Sequence, residues 1–592
     1  MSALPNDLVL DAKPIAHLPL IRGVIDRLRI QEVIDDLLPP DPRSKVSDGE
    51  CVKVMLLNIL QGRVALYDME RWLSHTDVEL LLGEGVPAGA FNDARLASCL
   101  DHIAETGTEE VLSAVVKAYL ADADAPSTYT VHQDTTSISL HGAYENSTYF
   151  AVPARGYSKD HRPDLKQLVF GLSLHGSAGI PLVSTVLSGN ATDSFANRLH
   201  LDTLADLLPE EDEVTLVADC KLVDGQTLGQ LDLQCFHFIS LLPKTYTLRS
   251  QLVDEVRAAG EILPELARTP GASRSDPERI YRGRSFERLF PIGFLEHGPK
   301  DSNVKRYKNL RLLVVESTQL DEQEEESLQR RLSKERATYE AGIKAANKRS
   351  YACETDARQA LDKVTKKLEF HRASAEVGEV TVPVKRARRG RPRADEAAPT
   401  AISYHIVETA PLEPLAEAIE ALRFHSRHFV LLTDHLDREK WPDERILAEY
   451  RQQHLIEGTT GFRWLKNIAT VAPVFLHTPH RIAALGVVLM LALMVRNYIQ
   501  FELRRRLVEE GETVPDRLQK PTQRPTTETA LLAFAALTVV HVTLAGQPRG
   551  RNLPPLPKAA KTVLQMLCLP ESLFTTPPTR KFPHAARETP EM

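Results

Sequence analysis

The sequence predicts an α/β protein: a mixed sheet flanked by helices, interrupted by a large insertion and preceded by an all-helical N-terminal domain. Three observations support this prediction. Apolar residues recur at three- and four-residue spacing within residues 1–125, which is typical of helices. From residue 128 onwards, apolar residues fall in short runs rich in β-branched side chains, which favour strands. Strand character is lost after residue 245 and returns after residue 400.

Composition and charge limit the function classes. The 592 residues are enough for several domains, and the net charge of −8 means that DNA contacts must come from local basic clusters. Six cysteines without a CxxC pair argue against a zinc site or a disulfide framework. The sequence begins without a signal-peptide pattern, and its longest apolar run, residues 482–495, is too short to span a bilayer. We therefore expect a bacterial-type cytoplasmic protein with no membrane contact.

The helical pattern of residues 1–125 leaves two interpretations open. Helix pairs of this kind can bind DNA ends, but packing of a helical core explains the same spacing. We therefore treat end-DNA binding by this domain as one of two hypotheses.

A strand centred on Asp134 opens the first part of the predicted sheet, residues 126–245. Its sequence, TYTVHQDTTSISLHGAY, is rich in β-branched residues. A carboxylate is a poor strand former and is costly to bury without a partner, so Asp134 is either solvated on an edge strand or part of a site.

Three more strands and a helix follow in this part of the chain. The predicted order is strand 168–175, strand 181–187, helix 194–208 and strand 214–218. The last strand is almost continuously apolar, which indicates burial on both faces, and it ends in Asp219. Sites in open α/β sheets are built at the carboxyl ends of strands, so Asp219 is a second candidate.

Residues 246–400 predict an insertion with two features. Residues 321–371 are highly charged, without proline, and predict a long helix or a helical hairpin. The run KRARRGRPR, residues 385–393, resembles an AT-hook, in which Arg389, Arg391 and Arg393 would favour the narrow minor groove of A·T-rich DNA. A nonspecific phosphate-binding tether and a plain linker are the alternatives.

The sheet pattern returns in residues 401–510, with a helix that starts at Pro442. Ile446, Tyr450 and Glu457 fall on one stripe of this helix, so Glu457 points toward the core. An acid in that direction needs a buried partner or a metal. Residues 511–592 are Pro-rich and are interpreted as a peripheral C-terminal appendage.

Four stretches together resemble the DDE transposases of bacterial insertion sequences, in the IS-four-like superfamily with its RNase H-like catalytic core. They are HQDTTSISLHGAY, the GYSKDHRPDLKQLVFGLSLHGSAGIPL segment with SGNATDS after it, VTLVADCKLV, and YRQQHLIEGTTGFRWLKN. The resemblance implies that Asp134, Asp219 and Glu457 are the catalytic and metal-binding triad. It also implies that the protein acts on double-stranded DNA, both terminal inverted repeats and target, as a homodimer near the nucleoid.

The third-acid block departs from the superfamily pattern after Tyr450 and Glu457. Gln453 stands where the family has arginine, and Trp464 stands where it has lysine. The weak helix formers of residues 458–461 predict that the helix loosens after Glu457, which would still bring Arg463 or Lys466 to DNA. Trp464 either packs in the core or stacks on an extruded base.

Other polar residues near these motifs have both structural and functional interpretations. Lys159, Arg162 and Lys166 either grip DNA phosphates or belong to a solvated loop. His132 is interpreted as structural because Mg²⁺ prefers oxygen ligands. Asp193 and Asp434 are weaker rivals for the acid positions.

A cluster of three acids is more readily explained by divalent cations than by folding. Two carboxylates about 4 Å apart repel by roughly 4 kcal/mol at an effective dielectric constant near 20. Two Mg²⁺ ions per site, with Mn²⁺ as a substitute, would balance this charge and support phosphodiester cleavage and strand transfer. The alternatives are a noncatalytic DNA-binding derivative of a transposase and an RNase H-like nuclease without strand transfer.

Overall fold

The computed structural model describes residues 8–41, 43–62, 64–121, 128–140, 151–156, 162–176, 178–208, 213–270, 278–294, 305–319, 322–384, 400–458, 461–471, 478–544 and 547–580. The strands are β1 (Leu8–Pro14), β2 (Thr128–Leu140), β3 (Lys166–His175), β4 (Ile180–Ser188), β5 (Glu213–Ala218), β6 (His237–Leu241), β7 (Glu265–Thr269), β8 (Arg279–Phe294), β9 (Lys305–Ser317), β10 (His371–Pro383), β11 (Thr400–Pro414), β12 (His428–Thr433), β13 (Val514–Pro515), β14 (Pro521–Thr522), β15 (Thr538–Leu544) and β16 (Gln547–Asn552).

The helices are α1 (Leu18–Arg27), α2 (Ile30–Leu37), α3 (Asp48–Leu57), α4 (Met69–Ser74), α5 (Val78–Leu82), α6 (Asp93–Thr106), α7 (Thr108–Leu120), α8 (Asp193–Leu207), α9 (Gly225–Leu233), α10 (Thr247–Ala259), α11 (Glu322–Ala346), α12 (Glu354–Thr365), α13 (Ala416–Arg427), α14 (Asp443–Arg451), α15 (His454–Glu457), α16 (Phe462–Val471), α17 (Pro479–Glu509), α18 (Thr527–Leu531) and α19 (Lys558–Met566).

The N-terminal region is helical from α1 to α7, but it begins with a strand and so differs from the all-helical prediction. A capping box starts its central helix, α3: the Ser47 hydroxyl accepts from the Glu50 amide at 3.0 Å, and the Glu50 carboxylate accepts from the Ser47 amide at 2.9 Å. All residues of α3 are buried, because helices α1, α2, α6 and α17 pack around it.

Within the described residues, nine strands form one mixed sheet in the order β4-β3-β2-β5-β6-β12-β9-β8-β7. The predicted succession of three strands, a helix and a fourth strand is confirmed by β2, β3, β4, α8 and β5. β2 pairs antiparallel with β3 and parallel with β5, which in turn pairs parallel with β6. β2 therefore lies inside the sheet, and the edge-strand alternative for it is wrong.

Part of the predicted insertion belongs to this sheet. β7, β8 and β9 extend it beyond β12, while α11 and α12 form the predicted helical hairpin and pack on the two-stranded β10–β11 sheet. The strands were missed because the first ten residues of β8 include four arginines and a glutamate. Only one strand of the three, β9, shows a continuous buried run, at residues 310–315.

The C-terminal residues pack into the N-terminal region and are not peripheral. β15 pairs antiparallel with β1 on one side and with β16 on the other. Arg580 donates to the buried Glu50 carboxylate at 2.8 Å, and Arg551 donates to the buried Asp77 carboxylate at 2.9 Å. The prolines of this segment separate short helices and strands, and the segment pairs and hydrogen bonds with earlier parts of the chain.

The predicted buried helix is the central part of α17. Among the described helices it alone is long and apolar enough to cross a membrane, but 83% of its most apolar window is buried inside the protein. It contacts α3, α6, α7 and β4, so it joins the helical region to the sheet. This burial is what the core-helix interpretation predicts.

Candidate active site

Asp134 and Asp219 lie side by side on two adjacent parallel strands. In the β2–β5 ladder, Gln133 is opposite Ala218, and the two aspartates are the next residue on each strand. Neighbouring strands are about 4.8 Å apart. Asp219 follows the end of β5, where its Oδ1 accepts from the Lys221 amide at 2.9 Å and caps a short 3₁₀ turn.

Alternation along β2 places Asp134 on the face that carries α14 and α15. Gln133 and Thr135 face the other way, since both hydrogen bond to α8. His132 faces α14 and α15: its Nδ1 lies 3.3 Å from Oε1 of Gln453. Side chains two residues apart share a face, so Asp134 points to the same side as His132.

The same argument places Asp219 on that face. Val217 packs in a buried cluster with Ile446 and Leu447 of α14. Asp219 is two residues further along the strand direction and therefore faces α14 and α15 as well. Both aspartates are half-buried.

Glu457 is carried to this face by the one-turn helix α15, which packs against β2. The helix that starts after Pro442 ends at Arg451, so Tyr450 and Glu457 lie on two successive helices and not on one stripe. The predicted loosening after Glu457 is confirmed, because α15 ends there and α16 begins at Phe462. The Glu457 side chain is exposed.

Gln453 fixes α15 to the strand of Asp134. Its Nε2 donates to the main-chain oxygen of Gln133 at 2.8 Å, while its Oε1 faces His132. Sequence reasoning identified Gln453 only as a departure from a family pattern. Its amide group carries both a donor for the strand and an acceptor for an imidazole N–H, whereas an arginine has no acceptor.

Tyr450 lies within electrostatic reach of two of the acids. Burial raises the pKa of its phenol, and the charges of Asp219, Cys220 and Glu457 raise it further. The ring packs beside Phe429, with the ring centroids 6.5 Å apart. The charges of Asp219 and Glu457 therefore both act on one neutral, half-buried phenol, and Asp134 and Asp219 face the side of the sheet on which α14 and α15 pack.

The three carboxylates do not form a closed cluster. In the part of the chain that the structure describes, the ligand atoms of Asp134, Asp219 and Glu457 do not all lie within 4.8 Å of one another. Glu457 is the last residue of the one-turn helix α15, whereas Asp134 lies within β2 and Asp219 directly follows β5.

The remaining candidates near the acids have structural partners. His132 is buried, which lowers its pKa to about 4, in agreement with its structural interpretation. Asp193 starts α8 and accepts from Thr135 Oγ1 at 2.5 Å, on the far face of β2. Asp434 follows β12 and accepts from the Phe238 amide at 3.0 Å. It lies at the edge where β6 begins, away from Asp219.

Trp464 is buried, and the Arg496 guanidinium lies 5.5 Å from its ring centroid. This burial favours the packing interpretation over base stacking.

The predicted DNA-contacting side chains are scattered. Arg162 is exposed and pairs with Asp164 at 2.8 Å, Lys166 begins β3, Arg463 is exposed and Lys466 is half-buried. The predicted contacts at Lys159, Arg389, Arg391 and Arg393 fall outside the described residues. Their DNA contacts stay predictions.

Comparisons with known proteins match the chain to a family model and to solved structures. Residues 10–117 match a family model described as a domain of unknown function, DUF4277. Among solved structures, the chain is similar to a piggyBac transposase in a synaptic complex with hairpin DNA. That match covers 89% of this chain and 82% of the other, with 9% identity and a TM-score of 0.35. An identity and a TM-score this low support no argument about fold or function. No curated protein matches the sequence.

Proposed function

We propose that the chain is a DNA transposase of the DDE type, which cuts the ends of its insertion sequence and joins the freed 3′-OH ends to target DNA. The observation that carries the proposal is that Asp134 and Asp219 each directly follow the last pair of the β2–β5 ladder, with the Glu457 helix tied to β2. The motif resemblance assigns the triad to the same three residues.

The acids fit divalent cations. Carboxylate oxygens are the donors that Mg²⁺ and Mn²⁺ prefer, and all three side chains are at least partly accessible. Asp134, Asp219 and Glu457 would hold two ions. When bound, the ions would lower the pKa of the attacking hydroxyl and stabilise the charge on the leaving oxygen.

The protein's own groups position the acids. The ladder between β2 and β5 fixes the two aspartates, whose mutual repulsion favours cation binding. Gln453 sets how far the Glu457 helix stands from them. Tyr450, held neutral by burial, adds no charge beside the acids.

DNA would reach the site through local basic segments, because the net charge is −8. Arg463 and Lys466 follow the third acid, and the basic run 385–393 lies in the connection between β10 and β11. A homodimer in the bacterial cytoplasm, holding both transposon ends, completes the proposal.

Cleavage of linear transposon-end DNA in Mg²⁺ tests the proposal. We expect the wild type to cut and to join labelled ends to a plasmid, and Asp134→Asn, Asp219→Asn and Glu457→Gln to lose both activities. Glu444→Gln, at an exposed glutamate in the first turn of α14, is the matched control and should retain both. Binding without cleavage by the wild type would favour a noncatalytic DNA-binding protein. Cleavage without joining would favour a nuclease.

A further inference from the structure

Three potential metal ligands meet at the edge of the sheet opposite Asp219. They are Glu213, the first residue of β5, His237, the first residue of β6, and His435, which follows β12. Their ligand atoms all lie within 4.8 Å of one another. Glu213 and His237 are half-buried and His435 is buried.

Each histidine is oriented by a second polar group. Nδ1 of His237 lies 3.0 Å from the Asp434 carboxylate, which also accepts from the Phe238 amide and is only 4% exposed. Nε2 of His435 lies 3.0 Å from the Thr215 hydroxyl. In metal sites, a carboxylate or another polar acceptor commonly holds the ring nitrogen that does not bind the metal, and so fixes the tautomer.

We propose that Glu213, His237 and His435 bind a transition-metal ion of the Zn²⁺ type. Two imidazoles and one carboxylate form a donor set typical of Zn²⁺, with a fourth position left for water. Imidazole donors do not suit Mg²⁺, so this site is chemically distinct from the acid triad. The cysteine spacing argued against zinc, but these ligands include no cysteine.

A lysine and a tryptophan lie against the three ligands. Lys440 pairs with the Glu213 carboxylate, and its side chain is about half exposed. The His237 and His435 rings stack with centroids 4.5 Å apart, and His435 stacks on Trp441 at 3.8 Å. Metal binding would displace the Lys440 ammonium from Glu213, and the ammonium would then be solvated.

The ion would join three neighbouring strands at one point. β5, β6 and β12 are adjacent in the sheet, and the loop after β12 leads directly into α14. β5 is six residues long, so the site lies about 20 Å from Asp219. The metal would therefore hold the start of the segment that carries Tyr450 and Glu457, without reaching the acids.

Zinc titration of the metal-stripped full-length protein tests the proposal without DNA. We expect one Zn²⁺ per chain by calorimetry and by elemental analysis, and a higher Tm with zinc than with EDTA. Glu213→Gln and His237→Gln should weaken binding at least tenfold and abolish the zinc-dependent rise in Tm. His425→Gln is the matched control, because His425 also pairs with a carboxylate, Asp254, at 2.9 Å.

Two further measurements make the test decisive. Each variant should have the Tm of the wild type in EDTA, which shows that it folds without metal, and Asp134→Asn should still bind one zinc. Absence of zinc binding by the wild type, or equal binding by wild type, Glu213→Gln and His237→Gln, would overturn the proposal. Loss of the zinc in Asp134→Asn would place it at the acid triad instead.

Discussion

Gln453 donates from its side-chain amide to the main-chain oxygen of Gln133 at 2.8 Å, one residue before Asp134. Its own oxygen meets the buried imidazole of His132 at 3.3 Å. One uncharged side chain thus sets the position of the Glu457 helix relative to the strand that carries the first acid. The first two predictions concern this contact.

Replacement of Gln453 by alanine should impair DNA cleavage. It removes the hydrogen bond to β2 and leaves buried groups without a partner, a loss of about 1–3 kcal/mol that would loosen α15. We expect the cleavage rate to fall about tenfold or more and the Mg²⁺ concentration for half-maximal cleavage to rise. Gln452→Ala is the matched control, since the Gln452 side chain donates to the nearby Glu449 carboxylate at 3.3 Å and not to β2 in the described residues. Equal metal dependence in both variants would contradict the positioning role.

Stability should depend on pH through His132. Burial lowers its pKa to about 4 in the folded protein, against 6.5 for an ordinary histidine. Between these values the unfolded chain binds a proton that the folded protein does not, so stability falls as the pH decreases from 6.5 to 4 and is unaffected by this group above 6.5. We expect urea unfolding to show that, as the pH decreases from 6.5 to 4, the unfolding free energy of His132→Gln falls by about 3 kcal/mol less than that of the wild type. The unfolding free energy of His425→Gln should depend on pH as that of the wild type does. If the pH profile of His132→Gln also runs parallel to that of the wild type, the assignment is rejected.

Arg311 should be essential for the start of α14. Its guanidinium is fully buried and donates to the Trp441 main-chain oxygen at 2.6 Å, to Ser285 and to the Asp443 carboxylate. Arg311→Met leaves Asp443 without its cationic partner and should cost about 3–5 kcal/mol of unfolding free energy by chemical denaturation. Arg438→Met, at an exposed arginine, should cost about 0–1 kcal/mol. If Arg311→Met lowers the unfolding free energy by no more than Arg438→Met does, the buried network around Arg311 does not stabilise the protein.

Gly461 should be needed for the turn between α15 and α16. A Cβ at this position would lie 2.0 Å from the main-chain oxygen of Ile456, the residue before Glu457. Gly461→Ala should therefore displace Glu457, and a shift of about 1 Å at a catalytic group costs about 100-fold in rate. Gly225→Ala is the control, because its added Cβ would meet nothing closer than 3.5 Å. If both variants cleave DNA like the wild type, the turn does not position Glu457.

The sequence predicted strands β2 and β5, with Asp134 in the first and Asp219 at the end of the second, because both strands have clear β-branched or apolar patterns. It also predicted the break after Glu457 from weak helix formers. These are local properties of short segments. The resemblance of the motifs also singled out Glu457, whereas the helical stripe that pointed to it assumed one continuous helix where the structure has two.

The contacts that depend on distant parts of the chain could not be predicted in this way. β8 was hidden by its charges, and the Glu213, His237 and His435 group joins three strands that have no shared motif. The role of Gln453 depends on a contact 320 residues away in sequence. Each of these features depends on the order of the strands in the sheet, which is set by pairing between segments that are far apart in the sequence.

The pairing of β1 with β15 has a consequence for biosynthesis. Leu8 is opposite Leu544, so the first strand waits for its partner until nearly the whole chain has been made. At about 5–20 residues per second, that delay is on the order of half a minute to two minutes. An interrupted translation product would lack this closure and also the Arg551 partner of the buried Asp77. Prematurely terminated chains should therefore be degraded by proteases faster than the full-length chain.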